Sequence, residues 1–221
     1  GRLYLQDEDY RRGLRTLRSA GSYFGTHPDA PKIAEDMSNA FVTLYLKDIA
    51  DSMPPYQAIA LYEEFKELTP AGEQGDVVIQ KLADRLAQVD LLDKAARLLM
   101  QQVDFRLQGE EKARVGARLA TIRLINKQPA MAADAITRSD ETDIPPFLEG
   151  QRRQLLARAY IDQGFENRAL SVLDKDESRY ADLLRAEIYW KNRKWPQATK
   201  ILFRLVQSTE AKPGEKLDQQ Q

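Results

Sequence analysis

Five alanines at a recurring interval constrain this chain more than any other feature. Ala58, Ala95, Ala132 and Ala169 are spaced 37 residues apart, and Ala198 follows 29 residues later. Nine residues before each lies Ile49, Leu86, Arg123, Tyr160 or Tyr189, four of them large and apolar. Four residues after each lies Tyr62, Leu99, Ile136, Leu173 or Leu202, and three before lies Pro55, Leu92, Pro129, Glu166 or Trp195. A small residue on one helix lets an antiparallel neighbour approach closely, while large residues on either side fill the space. One such hairpin cannot cover its own apolar faces, so copies must stack. A period in this range predicts an all-α chain, an α-solenoid of stacked antiparallel hairpins with about eleven helices.

The local pattern agrees. Ile79, Leu82, Ala83 and Leu86 recur at helical spacing, as do Leu91, Leu92, Ala95, Ala96, Leu98, Leu99 and Val103. Strand-like alternation and Asn-Gly or Asp-Gly hairpin turns are missing from the sequence. Prolines in Gly25–Pro31, Pro54-Pro55 and Pro145-Pro146 predict helix starts, because a first-turn residue needs no intrahelical N–H partner. Tyr4, Gly13 and Leu17 repeat the spacing of Tyr160, Ala169 and Leu173, so the array is expected to begin inside a repeat and to run over residues 1–207. The polar, Pro/Gly-containing stretch 208–221 predicts a disordered tail.

Several chemistries are disfavoured by composition. Lys and Arg total 33 against 34 Asp and Glu, a balance that argues against nucleic acid or a charged membrane surface as partner. Without cysteine and with only His27, the sequence offers no thiol nucleophile, Cys-ligated zinc or His-based triad. The most apolar run, Ala40 to Leu46, is far shorter than the ~18 residues of a membrane span. Gly72 and Gly75 lack the Gly-Lys-Ser/Thr of a phosphate loop. The acidic runs Asp7–Asp9, Glu63-Glu64 and Asp174–Glu177 are read as capping or solvated groups. Tyr189 and Trp195 are expected in the core, Tyr180 and Trp190 exposed at an interface. No cofactor, metal or catalytic constellation is expected.

The segment LLARAYIDQGFENRALSVL carries Leu156-Ala157, Tyr160, Gly164, Ala169 and Leu173 in the order of the tetratricopeptide repeat, which it resembles. Leu82-Ala83, Leu86, Ala95 and Leu99 resemble it more loosely, and Ala186, Tyr189, Trp195, Ala198 and Leu202 do so again. Periods of 37 and 29 depart from that family's 34, and Arg123 occupies an apolar position. The resemblance spans about Phe41 to Val206, and Pro54 to Ile136 also looks like repeat regions of large bacterial proteins of this kind.

The resemblance implies a right-handed stack whose first helices line a concave groove, with inward positions about seven, eleven, fifteen and eighteen residues before each alanine. Lys47, with Thr43 and Asp51, comes first, then Gln80, Asp84 and Gln88. Arg114, Ala117 and Thr121 follow, then Gln154, Arg158 and Asp162, and last Leu183, Glu187, Trp190 and Lys191. This lining lacks the clustered Lys and Asn of a carboxylate clamp, so a peptide with mixed charges fits better than a chaperone tail. The expected role is a non-catalytic scaffold for a protein or peptide partner, without nucleic acid or membrane insertion. The alternative is an assembly arm of a larger bacterial envelope-associated or cytoskeletal protein acting by self-association.

Overall fold

The computed structural model describes residues 1–47 and 49–207, apart from the Asp51 side chain. The expected tail 208–221 and the inward Asp51 side chain lie outside the described residues. Two compact units divide the chain, Gly1–Leu107 and Gln108–Gln221. Among the described residues there is no strand.

The first unit contains α1 (Arg2–Gln6), α2 (Tyr10–Tyr23), α3 (Ala30–Leu46), α4 (Pro55–Phe65), α5 (Glu73–Gln88) and α6 (Leu92–Phe105). Short 3-10 turns at Ile49–Ser52 and Lys66–Leu68 flank α4. Helix α1 packs on α2, α2 on α3, α3 on α5 and α5 on α6. The second unit contains α7 (Gly109–Ile125), α8 (Pro129–Arg138), α9 (Pro146–Asp162), α10 (Glu166–Leu173), α11 (Arg179–Lys191) and α12 (Trp195–Gln207). Each packs on the next, while α9 also packs against both α7 and α11. These successive neighbours form the helical array expected from the spacing. The anticipated prolines occupy the first turn of α3, α4 and α9, and Pro129 does the same in α8.

The spacing has a backbone cause. Glu8, Asp90, Lys127, Gly164 and Arg193 are left-handed, with φ of 59°, 60°, 57°, 79° and 55°. Each lies five residues before Gly13, Ala95, Ala132, Ala169 or Ala198. The N–H that follows each donates five residues back: Asp9 to Tyr4 O at 2.9 Å, and Leu91 to Leu86 O, Gln128 to Arg123 O, Phe165 to Tyr160 O and Lys194 to Tyr189 O at 2.8 Å. This is a Schellman turn, in which a left-handed residue ends one helix and satisfies its last carbonyls. The same residue that donates this N–H then starts the next helix. Its C=O accepts from the anchor's own N–H, as Ala169 N–H donates to Phe165 O at 3.1 Å. Nine residues therefore separate the large residue from the small one because two linked hydrogen bonds measure that distance.

Ala58, Ala95, Ala132, Ala169 and Ala198 are all buried. Gly13 takes the same role between α1 and α2, where an added Cβ would lie 2.5 Å from Leu5 Cδ2. In the second unit Ala169 joins Ala157, Ile161, Leu173, Ala181, Leu184 and Ile188 in one cluster. Of the two aromatics expected in the core, Tyr189 is only partly buried and Trp195 is exposed, as is Leu202 at an anchor-flanking position. Trp195 is 49% exposed and Leu202 39%, because the outer side of α12 meets no further helix among the described residues.

Candidate functional site

The inward residues fall into two sets, one in each unit. In the first unit Lys47 caps the end of α3 and is exposed, while Gln80, Asp84 and Gln88 lie along α5, which packs on α3. Gln80 and Asp84 are partly buried and Gln88 is exposed. Lys81 Nζ donates to Leu46 O at 3.1 Å, so a cation from α5 satisfies a carbonyl at the end of α3.

The second set is better defined, because α7, α9 and α11 lie side by side. Arg158 on α9 donates from Nη1 and Nη2 to both carboxylate oxygens of Glu187 on α11, at 2.9 and 2.7 Å. Asp162, one turn on, lies 3.6 Å from the same guanidinium. The hydrogen bonds to Glu187 raise the Arg158 pKa above its ordinary value against the opposing effect of burial. A fork-to-fork pair of this geometry fixes the two helices' polar faces on one side. Gln154 Nε2 donates at 3.0 Å to Asp176 Oδ2 and Ser178 Oγ, tying α9 to the start of α11. Burial pushes the Asp176 pKa up, but hydrogen bonds from the Ser178 hydroxyl and backbone, with that from Gln154, outweigh it and leave it lowered.

The other inward positions of α11 and α7 are mostly exposed. Glu187, Leu183, Trp190 and Lys191 lie on α11, while Arg114 and Thr121 lie on α7. Arg114 is engaged within its own helix by Glu110 and Glu111, and Thr121 Oγ1 donates to Ala117 O at 3.0 Å. Ala117 is a correction to the expected lining. It is buried with Ala113 and Leu148, because α9 packs over that side of α7. Tyr180 and Trp190 are exposed, as expected.

Register marked Arg123, which is buried, but not two other cations that packing draws inward. Arg152 on α9 is 4% exposed. Its Nη1 donates to Ala113 O at 2.7 Å and Ser139 Oγ at 2.9 Å; its Nη2 donates to Ile136 O at 2.8 Å and Ser139 O at 2.9 Å. Burial lowers its pKa, and the nearby Asp140 and Glu141 oppose that shift. Four oxygens from three places in the chain thus close on one guanidinium, an arrangement only Arg's planar fork can fill. Gly116 makes room for it, since a Cβ there would come within 1.8 Å of Ser139 Oγ. Arg185 on α11 repeats the device, donating to Leu173 O and to Asp176 O at the end of α10. Both cations satisfy helix C-terminal carbonyls and oppose the negative end of the dipole.

Beside Arg152, a cavity of about 430 Å³ is lined by Asp140, Glu141, Glu149 and Arg153. Those charges are already paired: Glu141 meets Lys112 at 2.9 Å, and Glu149 meets Arg153 at 3.7 Å. Among the described residues no group of three or more His, Asp or Glu side chains could hold a metal ion. No described helix is long and apolar enough to cross a membrane. No protein-family model matches the chain, and no curated protein matches it.

Proposed function

We propose that this chain is a tetratricopeptide-like interaction protein that holds a segment of another protein on the face made by α7, α9 and α11, without catalysing a reaction. The observation that carries this reading is the bidentate Arg158–Glu187 pair, which locks two adjacent helices with their polar residues on a common side. Exposed Asp162, Leu183 and Trp190 lie within a helical turn of that pair, and exposed Thr121 holds the same inward register on α7, so the face combines hydrogen-bonding, charged and apolar groups. A surface of this mixed character suits a peptide with its own mixed charges. Lys47, Gln80, Asp84 and Gln88 provide a second polar stretch of the same kind in the first unit.

Photo-crosslinking in the source cell tests the reading. A photoreactive residue is placed in the full chain at Thr121, at Asp162, and at Thr137 on α8 as a control. The expected result is one protein adduct common to Thr121 and Asp162 and absent at Thr137. Arg158→Glu should abolish it, and adding Glu187→Arg should restore it by rebuilding the pair. An adduct equally strong at Thr137, or none at the first two positions, would overturn the assignment.

A further inference from the structure

A second surface lies on the outer side of α12 and adjoins the face just described at Trp190. Trp195, Thr199, Leu202 and Val206 recur at helical spacing, with Phe203 beside them. Phe203 is 63% exposed and Val206 70%. The repeat supplies a measure of how unusual this is. Leu99, Ile136 and Leu173 hold the register position of Leu202 and are all buried, whereas Leu202 is open. Leu173 on α10 is covered by the next helix, α11, through Ala181, Leu184 and Ile188. The stripe on α12 therefore has the register of a surface that elsewhere in the unit receives a helix.

Charge identifies the kind of helix. From Ile188 to Gln207 the sequence holds five cations and no carboxylate. Arg204 is taken up by Asp182 on α11, with Nε donating to Oδ2 at 2.7 Å. Lys191, Arg193, Lys194 and Lys200 are exposed and form no ion pair among the described residues. Lys191, Arg193 and Lys194 precede Trp195 directly, at the N-terminal end of the stripe, and this local excess of positive charge favours a partner that supplies carboxylates there. Residues 208–221 contain a single large apolar residue, Leu217, and so cannot provide the apolar face of such a helix.

We infer that the α12 stripe is a docking surface for an acidic amphipathic helix whose apolar residues follow the Ala181, Leu184, Ile188 spacing. Trp195 and Phe203 are the anchors, with Trp190 packed edge-on against Trp195 at 5.1 Å between ring centroids. An amphipathic helix laid into an apolar groove is a recurrent recognition mode, and aromatic anchors dominate its energetics.

The chain contains only two tryptophans, Trp190 and Trp195, so in a Trp190→Phe background the indole emission reports on Trp195 and this surface alone. Three probes are titrated into the full chain in that background. One is a synthetic helical peptide with the α11 apolar spacing and a Glu-rich polar face; the second is its Lys-rich counterpart; the third is phosphatidylcholine vesicles with and without phosphatidylglycerol. The acidic peptide alone should give a saturable blue shift. Its affinity should fall on the order of tenfold as salt rises from low to high ionic strength. Phe203→Asp should abolish the shift while leaving the thermal melt unchanged, because that ring is mostly exposed, and Lys194→Glu should weaken it. Equal binding of the Lys-rich peptide would sink the inference. So would binding to anionic vesicles without binding to the acidic peptide, or no shift with any probe.

Discussion

The turns before Ala169 and Ala58 occupy the same register and are built differently. Before Ala169, left-handed Gly164 lets Phe165 N–H reach Tyr160 O, so α9 and α10 join through a closed turn. Before Ala58 the corresponding donor position is Pro54, which has no N–H to give. The chain there forms a 3-10 turn at Ile49–Ser52 instead, with Met53 N–H donating to Ala50 O at 3.3 Å. The lost closure is offset by side chains. Phe41, Tyr45 and Tyr62 pack with ring centroids 5.0 to 6.1 Å apart, and Tyr45 Oη donates to Ala58 O at 2.7 Å. A repeat can thus preserve an anchor by backbone geometry or by aromatic packing, and the two solutions should fail differently.

The largest effect is expected in the aromatic region. Phe41→Ala leaves a cavity against Tyr45 and Tyr62 and should cost about 3–5 kcal/mol. Hydrogen exchange should rise first in α3 and α4; equal acceleration in α9 to α12 would show that the two kinds of region do not fail separately. Ala169→Leu attacks the other solution by overpacking and should cost about 1–3 kcal/mol, loosening α9 to α12 first. Uniform protection across that variant in a hydrogen-exchange map would contradict it.

The turns themselves allow a finer contrast. Lys127 holds φ of 57° with a side chain, so Lys127→Gly should relieve backbone strain and stabilise by about 0.5–1 kcal/mol after the entropy of the unfolded chain is counted. Met53→Gly, at the same register before Ala58, has no left-handed residue to relieve and should only destabilise. Thermal melts of both variants check the pair, and a gain at Met53 would erase the distinction.

The smallest effect depends on pH. Glu64 on α4 accepts from Arg15 Nη2 at 3.0 Å and Arg11 Nε at 3.3 Å, and the Arg15 hydrogen bond holds its carboxyl below the usual range. A lowered folded pKa contributes stability above the ordinary Glu value of about 4.3 and loses it as pH falls through the folded value. Exchange in α2 should therefore rise in acid, and the rise should be smaller in Glu64→Gln. Identical acid profiles for the two proteins would remove Glu64 from the account.

Much of the fold was legible because its cause is local. The large residue nine before each anchor, the small anchor and the first-turn prolines belong to a stretch short enough for one turn to dictate. The left-handed residues were harder to see. Only Gly164 has the residue type that such a turn favours, while Glu8, Asp90, Lys127 and Arg193 carry no such sign. Of the inward residues, sequence placed Arg158 and Glu187 in equivalent positions, yet nothing in either position announced that they pair. Trp195 was misread for a related reason: its register gives core in an interior hairpin, but burial requires a neighbour that α12 lacks among the described residues.

Helix, turn and anchor spacing were determined by the sequence itself, since hydrogen bonds four and five residues back fix them wherever the chain goes. Tertiary structure decided the rest. Arg152 became a buried hub only because Ala113, Ile136 and Ser139 converge on it from α7, α8 and the turn after α8. Likewise, Arg158 meets Glu187, and the α12 stripe stays open, through packing between helices that local bonding does not specify.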